Sequence, residues 1–110
     1  MKRSKLKITN AKYSIGDLIH HKLFDYRGVI VDLDAGFQLS EDWYQQVAQS
    51  RPPKDEPWYH VLTDRSTNMT YVAEQNLEPD TSGKSIDNPM VRAFFTNLHD
   101  GHYANQTKVH

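Results

Sequence analysis

Cysteine is absent from the 110 residues. That excludes disulfides, thiolate-ligated zinc, iron–sulfur clusters and thiol catalysis together. A reducing compartment is the natural setting for such a chain. Long apolar runs are also missing: none approaches the roughly 18 residues a membrane-spanning helix needs. The start of the chain is basic but has no apolar h-region, so no secretory signal is expected. The expected location is cytoplasmic, with no membrane partner. There is no internal repeat, no low-complexity tract, no glycine-rich phosphate loop, no G-x-S-x-G and no H-E-x-x-H. A chain of this length makes one domain with enough core to fold unaided. The expectation is a protein with no cofactor and no catalytic residues.

Positive charge is scarce outside the first residues. The net charge is −1, yet residues 1–13 carry Lys2, Arg3, Lys5, Lys7 and Lys12 with no acid, a balance of +5. The rest of the chain holds eight cations against 14 acids, a balance of −6. Residues 1–12 read as a flexible basic arm. Five phosphate contacts from that arm give a salt slope of only about −4.5, a modest and non-specific attraction.

The most informative stretch is Pro57-Trp58-Tyr59-His60-Val61-Leu62 with Tyr71-Val72-Ala73. Alternate residues of the first run point to opposite faces. Both faces carry large or β-branched side chains, so both are expected to be packed. The polar run Thr63–Asn68 joins the two pieces as a hairpin with a longer loop. Upstream, Ser14-Ile15-Gly16-Asp17 reads as a turn with a positive φ at Gly16. Leu18–His21 is a short strand, and Lys22–Tyr26 is a connection with two aromatics. Arg27–Asp34 is a strand with Val29, Val31 and Leu33 on one face and Ile30 and Asp32 on the other. Gly28 marks a bulge or a close backbone approach. Asp32 and Asp34 are read as solvated strand-end carboxylates, since a metal needs more oxygen donors than two.

Ser40 is a helix N-cap, followed by Glu41 and Asp42 in the first turn. Trp43, Tyr44, Val47 and Ala48 form an amphipathic stripe on a helix over 41–50, which Pro52-Pro53 ends. Glu74–Pro79 reads as a turn with one apolar anchor, Leu77, and residues 80–85 as a linker. Asn88 and Pro89 then start a second helix. Its apolar face is Met90, Val91, Phe94, Phe95 and Leu98, and Gly101 is its stop. That face either docks back on the barrel or meets a second protein chain. Residues 103–110 read as a loose tail. Six histidines are present. His20 and His21 cannot share one site on a strand, His60 lies across from His20 only if their strands pair, and no metal site is expected. The fold class is mainly β: a small barrel of about five short strands with one inserted helix and a C-terminal helix.

In order and spacing, these pieces resemble the HspQ family, the YccV-like hemimethylated-DNA-binding family. Ile15-Gly16-Asp17 leads to His21, and Tyr26 through Asp34 follows. Leu39-Ser40-Glu41 starts the insert. Pro57 through Leu62 and Tyr71-Val72-Ala73-Glu74-Gln75-Asn76-Leu77 supply the closing hairpin. The likeness spans about residues 13–79; the basic start lies outside the pattern. The resemblance implies an SH3-like barrel and two activities. One is a heat-shock role promoting Lon-type proteolysis of denatured client proteins, including the replication initiator DnaA. The other is binding of hemimethylated DNA. It also implies a homo-oligomer, with a trimer as the candidate form.

The first activity suits an acidic, cysteine-free body with an apolar terminal helix. The second requires a reader at adenine N6 in the major groove, where a methyl replaces one hydrogen. Trp58, Tyr26 and Gln38 are the candidate readers, and Lys22 and Arg27 the candidate phosphate-binding cations. The −6 balance outside residues 1–13 opposes tight binding of a polyanion.

Overall fold

The computed structural model describes residues 11–47 and 52–105. Its elements are β1 (Leu18–His21), β2 (Arg27–Asp34), α1 (Glu41–Val47), β3 (Trp58–Thr63), β4 (Met69–Ala73), a 3-10 turn (Glu74–Asn76), β5 (Leu77–Pro79), α2 (Val91–Phe94), β6 (Phe95–His99) and β7 (His102–Asn105). The first five strands form one antiparallel sheet in the order β4-β3-β2-β1-β5. β6 and β7 form a separate hairpin. The class is mainly β, and the five-stranded sheet is compatible with a barrel although no ladder closes β5 onto β4.

Both faces of the sheet are packed, as the double-sided pattern of β3 demands. One face gathers Ile19, Ile30, Tyr59, Val61, Val72 and Leu77 into the interior. The opposite face is covered in two parts. Leu18, Val29, Val31 and Leu62 lie under Ile86, Phe95 and Tyr103 from the C-terminal segment. Trp58 and Ala73 lie under Tyr44, Phe37 and Trp43 from the insert. Burial of these side chains is the main stabilising term, at about 1.5–3 kcal/mol for each fully buried large apolar residue.

A register shift between Ile30 and Asp32 changes one assignment. Strict alternation puts Leu33 with Val29 and Val31. The shift gives β2 one extra residue, and Leu33 packs instead with the Ile30 face. Gly28 is not the bulge; it is the close approach. A Cβ there meets Val61 Cγ1 and comes within 2.7 Å of the Leu62 carbonyl. Because the second obstacle is backbone, Gly28→Ala is expected to lose about 1–3 kcal/mol, read as a lowered urea midpoint.

Two expectations for the second half are corrected. Glu74–Pro79 is not a simple turn. The 3-10 turn delivers Leu77–Pro79 as a fifth strand, paired Ile19↔Pro79, His20↔Glu78 and His21↔Leu77. The second helix is one turn long, Val91–Phe94, and does not run on to Gly101. Asn88 Oδ1 accepts from the Met90 N–H at 2.9 Å, but Asn88 Nδ2 donates to the Thr63 and Asn68 carbonyls, which binds the turn to the β3–β4 loop. Asp100 and Gly101 then adopt φ of 53° and 75°. Two successive left-handed residues make the tight turn that antiparallel hairpins favour, so Phe95–His99 and His102–Asn105 pair as strands. His20 and His60 do not face each other, because β2 separates their strands.

Gly16 takes the positive φ expected of it, 99°. Ser40 caps α1, with its Oγ accepting from the Trp43 N–H at 3.1 Å. Val47's side chain, Ala48 and the end of the expected helix lie outside the described residues, as do residues 1–10 of the basic arm and 106–110 of the tail.

Candidate functional site

β4 is an edge strand, and a cleft of about 510 Å³ runs along it. All five β4 residues line it, together with the turn after β1 and the start of the insert. Five large apolar side chains are well exposed among the described residues: Leu23, Phe24, Leu39, Met69 and Met90. The first four line this cleft. Single exposed apolar residues need no explanation, but four converging on one concavity mark a contact surface.

The turn that presents Leu23 and Phe24 is built on His21, which is 3% exposed. His21 Nδ1 accepts from the Leu23 and Phe24 N–H groups, each at 3.1 Å. The Asp25 N–H donates to the His21 carbonyl at 2.9 Å, and Asp25 is left-handed with φ 57°. With backbone groups tied inward, Leu23 and Phe24 project outward, 55% and 56% exposed. The Phe24 ring stacks on His21 at 4.8 Å.

Two neighbouring histidines are pushed in opposite directions. Burial, then the charge of His20, lowers His21, which stays neutral with Nδ1 as acceptor. Asp25 and Glu78, at 2.6 and 2.7 Å from its two ring nitrogens, raise His20. The stability from His20 is present below the ordinary value of about 6.5 and is lost as pH rises through the raised value. The stability from His21 is present above about 6.5 and is lost as pH falls through the lowered value. The turn is therefore held best between the two. Proton NMR is expected to place His20 above and His21 below the ordinary value. Amide protection of Leu23 and Phe24, corrected for intrinsic rate, is expected to peak between them. Equal histidine values contradict this.

The cleft floor is aromatic, and hydrogen bonds tie its polar atoms down. Trp58, 1% exposed, stacks on Tyr71 at 5.2 Å and meets Phe37 edge-on at 5.0 Å. Trp58 Nε1 donates to the Pro53 carbonyl at 3.1 Å, and the Tyr44 hydroxyl to the Pro52 carbonyl at 2.7 Å. The Tyr71 hydroxyl donates to Asp34 at 2.7 Å and accepts from the Gln38 N–H at 3.0 Å. Burial and then the Asp34 bond push the Tyr71 hydroxyl far above its ordinary value. His60 Nε2 lies 3.3 Å from the same carboxylate. Asp34 is thus the anchor of the floor, while Asp32 is exposed and accepts from the Leu33 N–H at 2.8 Å.

The five candidate DNA contacts are split by the fold. Tyr26 and Trp58 line the cleft, but Trp58 is floor, and the Tyr26 hydroxyl is paired with Thr70 Oγ1 at 2.7 Å. Lys22 and Gln38 are exposed and border lining residues. Arg27 is turned away. It bonds Asp64 and Asp80, each at 3.1 Å, and reaches the Lys84 and Ser85 carbonyls. Its Nε sits 3.1 Å from Asp80 Oδ1, buried and without hydrogen-bond geometry. Burial opposes both charges, but the pairing wins: Arg27 is raised and Asp80 lowered. The guanidinium pins the 80–85 segment to β2 and is spent on that. Arg27→Gln is expected to cost about 3 kcal/mol in urea unfolding, because two carboxylates are left without their cation.

The candidate protein-contact residues are mostly inward. Phe95 is buried, and Val91, Phe94 and Leu98 pack partly against the same core. Met90 is 37% exposed. The residues that rim the cleft are others: Leu23, Phe24, Leu39 and Met69. The two aromatics of the 22–26 connection gave a partial signal. Leu39 and Met69 are lone apolar residues in polar surroundings and carry none. The family model for hemimethylated DNA-binding protein YccV like matches residues 11–102, which takes in the sheet, the insert and the first strand of the C-terminal hairpin.

Proposed function

The chain belongs to the YccV-like family, and on that footing we propose that it is a non-enzymatic heat-shock interaction module acting in the cytoplasm. It takes hold of denatured proteins, the replication initiator DnaA among them, and promotes their degradation by a Lon-type protease. The observation that carries this reading is the convergence of four exposed apolar side chains on one cleft beside a strand edge that no described strand pairs with. Unfolded polypeptide offers apolar side chains and free backbone, and such a cleft answers both. Direct reading of hemimethylated DNA is the second role, favoured by Tyr26 in an apolar cleft and by the family's description. It is opposed by the acidic balance and by the engagement of Arg27. Self-association, with a trimer as the candidate form, belongs to the proposal and is checked by the mass of the full chain in solution.

The test is a degradation assay with a purified Lon-type protease and a denatured substrate. Adding this protein is expected to speed substrate loss. An unchanged rate across a range of protein concentrations would sink the reading.

A further inference from the structure

The backbone of β4 shows how the cleft holds its occupant. At one end of the β3–β4 ladder the Thr63 N–H donates to the Asn68 carbonyl, and at the other the Glu74 N–H donates to the Pro57 carbonyl. Between them the pairs run without a shift from Leu62↔Met69 to Trp58↔Ala73. Bonded and non-bonded pairs alternate in an antiparallel ladder. Asn68, Thr70, Val72 and Glu74 therefore turn their backbone groups to β3. Met69, Tyr71 and Ala73 turn theirs outward, into the side where the cleft lies, and no described strand pairs with them there. An open strand edge of this kind is a template for another strand.

We propose that an extended client segment adds to the outer edge of β4 as a sixth strand, through the amides and carbonyls of Met69, Tyr71 and Ala73. This rests on the client reading above. Two observations choose that occupant. The edge is five residues long and concave, which fits one strand of about 17 Å. A folded partner needs about 20–30 residues a side. The insert beside the cleft carries four acids, Glu41, Asp42, Asp55 and Glu56, against two cations, Arg51 and Lys54, the second of which is paired with Glu41. A second copy brings the same net-negative insert, which disfavours it at this edge though not elsewhere on the surface, and nucleic acid is disfavoured here likewise. An apolar segment with lysine or arginine at its flank is drawn in.

The experiment uses the full chain and fluorescence anisotropy. The probe is a ten-residue peptide alternating valine and phenylalanine with threonine, with lysine at both ends. Two further peptides carry N-methyl groups on its odd or its even amides. Edge pairing directs only alternate amides to β4. One methylated peptide is therefore expected to bind at least tenfold more weakly, and the other to stay within about threefold of the parent. If both methylated peptides bind like the parent, side chains alone hold the segment: strand addition is overturned and the client reading stands. If the parent does not bind, both fall. Peptide binding that is lost as the chain self-associates assigns the edge to a second copy and overturns the inference.

Discussion

Trp58→Ala is expected to lower stability by about 3–5 kcal/mol, a large share of the roughly 5–15 kcal/mol that a small domain has. The indole is almost fully buried against Phe37, Trp43 and Tyr71. Truncation leaves a cavity under these three rings and that of Tyr44, and leaves unsatisfied the Pro53 carbonyl to which the indole N–H donates. The urea midpoint should fall while the slope holds, since the surface exposed on unfolding changes little. A loss under about 1 kcal/mol would contradict the floor role and leave the indole free to act as a reader. The same residue satisfies the sequence pattern of a base reader, so this measurement separates the two roles.

The double variant Leu23→Asp, Phe24→Asp is expected to behave in the opposite way. Both side chains are more than half exposed, so removing them leaves the core intact. The melting temperature should move by no more than about 5 °C, the shift that about 1 kcal/mol gives in a domain of this size. Client binding should fall by about 2 kcal/mol, or roughly thirtyfold, because about half of each side chain is left for a partner to cover. Competition between this variant and the parent protein for a denatured substrate measures it. A variant that binds as well as the parent removes the cleft from the mechanism.

Local signals carried much of this fold. The alternation of Trp58–Leu62, the polar loop after it and Tyr71–Ala73 describe the β3–β4 hairpin. Ser40 followed by two acids gives the start of α1. Features that depend on distant partners were not legible. Leu77–Pro79 becomes a strand because β1 offers its free edge, and a proline at the far end is harmless there. Leu33 changes face because β2 gains a residue against β3, which strict alternation cannot anticipate. Asp100-Gly101 did carry a signal. The pair follows an apolar periodicity compatible with a helix, so it reads as a stop, whereas two positive φ values make it a hairpin turn. Removing residues 86–110 therefore uncovers Leu18, Val29, Val31 and Leu62 rather than freeing a separate helix.

The site shows the same division. Tyr26 and Trp58 were identifiable as aromatics near a functional surface, and they do line the cleft. Arg27 was identifiable only as a cation. Its partners Asp64 and Asp80 lie 37 and 53 residues away, and sequence gives no means of pairing them. The edge status of β4, on which the contact surface depends, exists only once the sheet order is known.

The most direct measurement titrates the full chain with two partners at about 50 and 200 mM salt: a reduced, alkylated protein that stays unfolded, and a DNA duplex in unmethylated and hemimethylated forms. Apolar contact predicts binding of the unfolded protein that is nearly unchanged by salt. It also predicts duplex binding that is indifferent to methylation and fades with a slope of about −4.5 or less, vanishing without residues 1–12. Tenfold or stronger preference for the hemimethylated duplex, kept at the higher salt while the unfolded protein goes unbound, would contradict the account.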